Sequence, residues 1–310
     1  MRHVEKKTNK LIYMMPCGKT LAVYRGRFAP SPTGPLHFGS LVAAVGSYLD
    51  AKSNHGEWLV RIDDLDPPRV VSGASKEILL TLDSLGMEWD GEVVYQRQRN
   101  DIYQEAFASL NKRGLIYPCT CTRKKIVNSG MMGMSGSIYP GTCRNNRSAH
   151  AKPSAWRIKT RRDPIVFQDI LSGSICQRLN REVGDFVLQR ADGVYAYQLA
   201  VVVDDADQNI THVVRGADLQ DSTPRQIYLQ QLLGYPMLTY MHLPLVTNHA
   251  GEKLSKQTQA KPIDLSNALA QLIAALCFLG QEPPVDLSNS DIPSFWQWAI
   301  ENWRLEKIPC

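Results

Sequence analysis

Two stretches of this chain, far apart in sequence, hold residue types suited to a phosphate-bearing ligand: Ser31-Pro32-Thr33-Gly34-Pro35-Leu36-His37-Phe38-Gly39-Ser40 and Lys253-Leu254-Ser255-Lys256-Gln257. Backbone N–H groups and the dipole at a helix N-terminus favour anions, Gly39 has no side chain to hold a nucleotide away, and His37 stands at the opening. Lysines such as Lys253 and Lys256 can neutralise phosphate charge as it develops in a transition state. Singly, the first stretch reads as a capping histidine and the second as a solvated loop. Together, one ahead of a helix and one after a strand, they point to nucleotide chemistry. A third set is Cys119, Cys121 and Cys143. Three thiolates are a soft donor set for zinc, and a structural site wants a fourth ligand, for which His150 is the candidate by residue type. The seven cysteines are an odd number, which fits metal ligation in a reducing compartment better than a disulfide framework.

Elements must place these groups. A strand at 22–28 runs into the turn-rich 29–35, and a helix should follow, with Phe38, Leu41, Val42, Val45, Tyr48 and Leu49 spaced by three and four to form one buried face. The apolar run 58–62 reads as a strand that ends in Asp63-Asp64-Leu65-Asp66 and is stopped by Pro67-Pro68; Asp64 and Asp66 read as solvated or capping carboxylates. Ser72 is expected to cap a helix carrying Ile78, Leu79, Leu82 and Leu85, closed by Gly86, and a second helix at 101–113 is closed by Gly114. Residues 119–154 are rich in Gly, Ser, Met and Asn, show little periodicity and read as an insertion that a metal clip would brace. Beyond it come a hairpin turn at Asp192-Gly193, a strand at 210–215, a helix over 223–233 closed by Gly234, and a strand at 241–246. The run 200–204 fits a strand or a short buried helix, and 263–280 and 294–305 are helical in pattern. Strand alternating with helix predicts a parallel α/β sheet.

Composition narrows the class. Hydrophobic residues make up 44% and charged residues 21% of 310, ordinary for a soluble globular protein. No run approaches the roughly 20 apolar residues of a membrane span. The net charge of +5 is no argument for RNA, because Arg2, Lys6, Lys7, Lys10 and Lys19 against Glu5 place +4 of it in the first 24 residues. That opening has no apolar run of a secretory signal, and residues 1–20 are expected to form a mobile extension.

On these residues a resemblance can be stated. The segment around His37-Phe38-Gly39-Ser40 resembles the HIGH signature of class I aminoacyl-tRNA synthetases, and Lys253-Leu254-Ser255-Lys256-Gln257 resembles their KMSKS loop. Gly26-Arg27-Phe28-Ala29-Pro30-Ser31-Pro32-Thr33-Gly34, Val201-Val202-Val203-Asp204-Asp205 and Val214-Arg215-Gly216-Ala217-Asp218 are similar to the glutamate branch, from about Gly26 to the C-terminus. Only 54 residues follow Lys256, too few for an anticodon-binding domain of about 100 residues, so the similarity is to the short paralogues that match the catalytic half alone. The resemblance implies an α/β fold: the Rossmann-like parallel sheet of class I aminoacyl-tRNA synthetases, with a zinc-containing insertion and a small helical C-terminal part. It divides the chain into the extension 1–20, catalytic halves 21–117 and 191–262, an acceptor-binding-like zinc insertion 118–190, and a helical part 263–310.

It further implies that Arg27, Ser31, Asp63, Tyr197 and Arg215 bind L-glutamate, that His37, Gly39, Lys253 and Lys256 bind ATP, with His37 and Lys256 catalytic, and that Tyr139 joins Cys119, Cys121 and Cys143 around structural Zn²⁺. An arginine fork matches a carboxylate. Where the family has glutamate after Arg-Ile, this chain has Asp63, one methylene shorter, so a water or small backbone shift would have to restore contact with an ammonium group. ATP with Mg²⁺, glutamate and tRNA(Asp) bearing queuosine are the expected partners of a cytoplasmic monomer with no membrane contact. Two other readings stay open: a glutamyl-tRNA synthetase fragment that charges a tRNA 3′ end, and a non-catalytic, zinc-braced RNA- or amino-acid-binding paralogue.

Overall fold

The computed structural model describes residues 23–133, 136–145, 154–247 and 261–309. The expected extension at 1–20, Lys253, Lys256 and His150 lie outside them. In chain order the first elements are β1 (Arg25–Phe28), α1 (Phe38–Ser53), β2 (Glu57–Ile62), α2 (Ala74–Ser84), β3 (Val94–Tyr95) and α3 (Asn100–Lys112). Then come β4 (Ile116–Cys119), α4 (Arg123–Val127), β5 (Met132–Gly133), β6 (Gly136–Ser137), β7 (Ala155–Ile158), β8 (Ile165–Asp169), β9 (Gly173–Gln177), α5 (Leu179–Glu182) and β10 (Val187–Gln189). The chain continues through α6 (Tyr197–Asp207), β11 (His212–Gly216), α7 (Thr223–Leu233), β12 (Thr239–Leu243), α8 (Ala268–Phe278) and α9 (Ile292–Glu301).

Parallel pairing builds two half-sheets, in order β1-β2-β3 and β11-β12-β8, with β9 antiparallel on the edge of β8. The halves abut where Thr211 N donates to Arg25 O at 2.9 Å and Arg25 N donates to Thr211 Oγ1 at 2.8 Å. β1 and β11, more than half the chain apart in sequence, thus run side by side. In open α/β sheets the crevice beyond the carboxyl ends of such central strands is where ligands bind.

The helices bury themselves for reasons visible in their residues. α1 departs from expectation: instead of one buried face, nearly every residue from Leu41 to Ala51 is buried. The sheet covers one side and the C-terminal helices the other, with Leu272, Leu276, Phe295 and Trp296 in the same core. Ala44, Gly46 and Ser47 allow this close approach, and a Cβ at Gly46 would lie 2.6 Å from Leu243 Cδ1. Ser47 Oγ meets its own needs by donating to Ala44 O and accepting from Trp58 Nε1, both at 3.0 Å. A second core joins α3, α6 and α7 through Tyr103, Leu110, Leu199, Val202, Ile227 and Leu229. A fully buried leucine stabilises the fold by about 1.5–3 kcal/mol, so these two cores fix the strands whose ends form the site.

Two local expectations change, and one open reading is decided. Ser72 does not cap α2; Gly73 does, at φ 81°, a left-handed conformation that glycine adopts without strain. Residues 200–204 are helical, inside α6, because Leu199 to Val203 are buried on several sides at once and a run so short carries no period to decide between helix and strand. Asp64 is buried and not solvated: it accepts from Arg97 N at 2.9 Å, while Asp66 pairs with Arg190 at 2.6 Å. No helix among the described residues is long and apolar enough to cross a membrane.

Candidate active site and cysteine cluster

A cavity of about 360 Å³ opens at the carboxyl ends of β1, β11 and β12, beneath the start of α1. Arg27, Ser31, His37, Gly39, Asp63, Tyr197 and Arg215 all line it, so every predicted substrate residue within the described part of the chain is gathered at one place. His37 is the N-cap of α1: Nδ1 accepts from Ser40 N at 3.3 Å, and the ring stands where the helix offers its first N–H groups. It is therefore both the capping histidine of the modest reading and a wall of the cavity. The chain that returns after residues 248–260 is pinned here, with His37 bridged to Pro262 and Ile263 N donating to Leu36 O at 3.0 Å.

Under the floor, between β1, β2 and α6, lies a cluster of buried charges. Arg27 closes its fork on Asp205, Nε to Oδ1 at 3.2 Å and Nη2 to Oδ2 at 3.3 Å. Arg61, 0% exposed, gives Nε to Asp63 Oδ1 at 2.9 Å and Nη1 to Asp205 Oδ1 at 2.7 Å, while its Nη2 has no acceptor among the described residues. Asp204 accepts from Gln96, Arg99 and Tyr103 at 2.7–2.9 Å. Burial works against the Asp205 carboxylate, but Arg27 and Arg61 outweigh it and hold its pKa below the ordinary range. Asp63 goes the other way: burial pushes it up to about 6, against the pull of Arg61. Asp63 N donates to Pro30 O at 3.0 Å, which ties the end of β2 to the turn before α1.

Arg215, on β11, is equally buried but differently partnered. Nε donates to His242 Nε2 at 3.2 Å, Nη1 to Tyr197 Oη at 3.4 Å, and Nη2 to Thr223 Oγ1 at 2.7 Å and Gln226 Oε1 at 2.8 Å. Each of these acceptors is neutral. A buried charge ordinarily has an ionic partner; among the described residues Arg215 is a buried guanidinium of the cavity wall whose acceptors are all neutral, so its charge remains open to an anionic ligand.

The cysteine cluster sits apart, where β4, the 139–144 turn and β7 meet. The sulfurs of Cys119, Cys121 and Cys143 all lie within 4.8 Å of one another. Cys121 and Cys143 are 3.6 Å apart, and Tyr139 Oη lies 3.3 Å from Cys119 Sγ and 3.9 Å from Cys121 Sγ. Zinc bound at about 2.3 Å to sulfur and 2.0 Å to oxygen separates tetrahedral ligands by about 3.5–3.8 Å, so three thiols and the phenol fit the ion. Arg157 lies over the Tyr139 ring, 4.0 Å from its centroid, and gives Nε to Cys119 Sγ at 3.3 Å, a cation set against the phenol face and the sulfur. Gly184, at φ 75°, lets the chain pass Tyr139, whose carbonyl would be 2.5 Å from a Cβ there.

Sequence reading missed Arg61, Asp169, Thr223, Gln226, His242 and Arg157 as parts of these sites. The one available signal was Asp204-Asp205 directly after three valines, since acids on an apolar helix must find cations.

Residues 23–271 match the family "tRNA synthetases class I (E and Q), catalytic domain". The glutamyl-Q tRNA(Asp) synthetase of Dechloromonas aromatica (strain RCB) is 56% identical over 288 residues, 92% of this chain and 96% of that protein. That of Aromatoleum aromaticum is 52% identical over 290 residues, 92% of this chain and 90% of its own length. Among solved structures, a glutamate tRNA ligase from Elizabethkingia meningosepticum in complex with its amino acid is 25% identical with a TM-score of 0.73; the match covers 93% of this chain and 66% of that one.

Proposed function

Because this chain belongs to the class I (E and Q) tRNA synthetases, and within them to the glutamyl-Q tRNA(Asp) synthetases, we propose that it activates glutamate with ATP and transfers it to the queuosine base of tRNA(Asp). The observation that carries the reading is the convergence of seven expected residues on one cavity at the carboxyl ends of the central strands.

The α-carboxylate of glutamate attacks the α-phosphorus of ATP in line, forming the mixed anhydride and releasing pyrophosphate; a hydroxyl of the queuosine cyclopentene diol then takes the acyl group and AMP leaves. No side-chain nucleophile is needed, so catalysis rests on positioning and charge. The start of α1, with His37 and Gly39, holds the phosphates, and Lys253 and Lys256 bring cations to them. ATP enters with Mg²⁺, which brings charge neutralisation with the substrate. Since the reacting carboxylate must lie at the phosphates, Arg215 and Tyr197 are left for the side-chain carboxylate, with Arg27 and Ser31 beside them. Ionised Asp63 receives the ammonium group. In the insertion, Cys119, Cys121, Tyr139 and Cys143 hold a structural zinc that braces a segment with little core of its own. The halves 21–117 and 191–262 work as one catalytic unit, as a cytoplasmic monomer.

Glutamate-dependent ATP–pyrophosphate exchange without RNA, followed by transfer of labelled glutamate to tRNA(Asp) with and without queuosine, tests the reading. Exchange, with label only on the queuosine-containing tRNA, is expected. Label at a tRNA 3′ end would favour an ordinary glutamyl synthetase, and no exchange under any condition would favour a binding paralogue. Metal analysis is expected to find stoichiometric zinc, and a zinc-free preparation of unchanged stability would remove the brace.

A further inference from the structure

Arg215 is held from behind by buried residues on two neighbouring strands. Asp169 ends β8, His242 lies on β12, and Arg215 and His242 are register partners across β11 and β12. Asp169 Oδ1 accepts from Leu171 N at 3.1 Å and Ser172 N at 2.9 Å in the turn after β8, which leaves Oδ2 for His242 Nδ1 at 2.6 Å. On the other side of the ring, Nε2 is 3.2 Å from Arg215 Nε and 3.0 Å from Thr223 Oγ1. A guanidinium Nε always carries its hydrogen, so Nε2 must accept and the ring proton must sit on Nδ1, facing Asp169. Burial, with Arg215 beside it, outweighs Asp169 and keeps the His242 pKa below the ordinary histidine range.

The arrangement separates two jobs that a direct salt bridge would merge. A carboxylate at position 242 would orient the guanidinium and also cancel its charge; an imidazolium would turn an N–H toward an N–H. A neutral imidazole orients the fork and leaves the cation uncompensated. Counting donors, Arg215 spends Nε on His242 and Nη2 on Thr223, Gln226 and the Leu219 carbonyl, so Nη1 has one hydrogen for Tyr197 and one for a ligand.

We infer that Asp169 and His242 are positioning residues for amino-acid selection, which fix Arg215 through a neutral acceptor so that its charge stays available to the substrate's side-chain carboxylate. This rests on the assignment of Arg215 to glutamate, and the test separates the two. Asp169→Asn keeps the shape and the turn contacts but presents an amide N–H to Nδ1, which forces the ring proton onto Nε2, against Arg215. His242→Phe removes the acceptor, and His242→Gln restores one. In pyrophosphate exchange, Asp169→Asn and His242→Phe are expected to raise KM for glutamate about tenfold or more, with KM for ATP within about twofold and kcat little changed, and His242→Gln to recover most of the loss. Folding is followed by the thermal midpoint. A normal glutamate KM in both variants, where Arg215→Ala raises it, would overturn the positioning role alone. A parallel rise in both KM values with a lost thermal midpoint would reduce the pair to a structural one. A normal glutamate KM in Arg215→Ala would overturn the assignment beneath it as well.

Discussion

Two arginine clusters border the same cavity and are compensated in opposite ways. Around Arg27 and Arg61, three buried carboxylates, Asp63, Asp204 and Asp205, answer the guanidinium charges within a few ångströms. Around Arg215 the acceptors are an imidazole, a phenol, a hydroxyl, an amide and the Leu219 carbonyl, none of them charged. A guanidinium already neutralised by carboxylates acts as framework, since taking its charge out of water is offset inside the protein. One held only by neutral groups keeps its field for whatever enters.

The comparison breaks first, if it breaks, at Arg61. Arg61→Met strips buried Asp63 and Asp205 of a counter-charge and should lower the unfolding free energy by about 3–5 kcal/mol; an unchanged urea midpoint would mean that the cluster is not framework. Arg215→Ala should invert the pattern, with a smaller loss of stability and a fall of about a hundredfold or more in kcat/KM for glutamate, because a buried charge–charge contact with substrate is lost. Equal losses of stability in the two variants would erase the distinction. The smallest effect sharpens the boundary between the clusters at Asp63, which belongs to the framework through Arg61 yet faces the cavity. Its raised pKa means that the charged form is lost as pH falls through about 6. At pH 5, kcat/KM for glutamate should drop to about a tenth of its plateau. Asp63→Asn should lose that acid limb; an acid limb unaltered in the variant would remove Asp63 from ammonium binding.

What the sequence revealed of the site follows the distance over which each relation acts. His37, Gly39 and the helix after them are local, and period and turn chemistry placed them. Cys119, Cys121 and Cys143 were readable because thiols are rare and clustered. Asp169 and His242 lie 73 residues apart, and neither sits in a pattern that distinguishes it from any polar residue at a strand end. Only the register of β8, β12 and β11 brings them together. The burial of α1 on nearly all sides was likewise hidden, since its second cover is supplied by α8 and α9, far along the chain. Resemblance identified Arg27 and Arg215 alike as carboxylate ligands, and only packing shows that the first is paired with a carboxylate and the second is held by neutral groups.

The contact of Gly46 with Leu243 gives the site a mechanical property. α1 advances about 1.5 Å per residue, so Gly46 sits about 10 Å along the axis from Gly39, yet Leu243, which fills the space left by its missing side chain, also lines the cavity. The helix is a strut seated in a single notch. A methyl group added at position 46 would act as a wedge, prising α1 from β12 and turning Leu243 toward the ligand, so the tolerance on where the helix presents its first N–H groups is set two turns away from them.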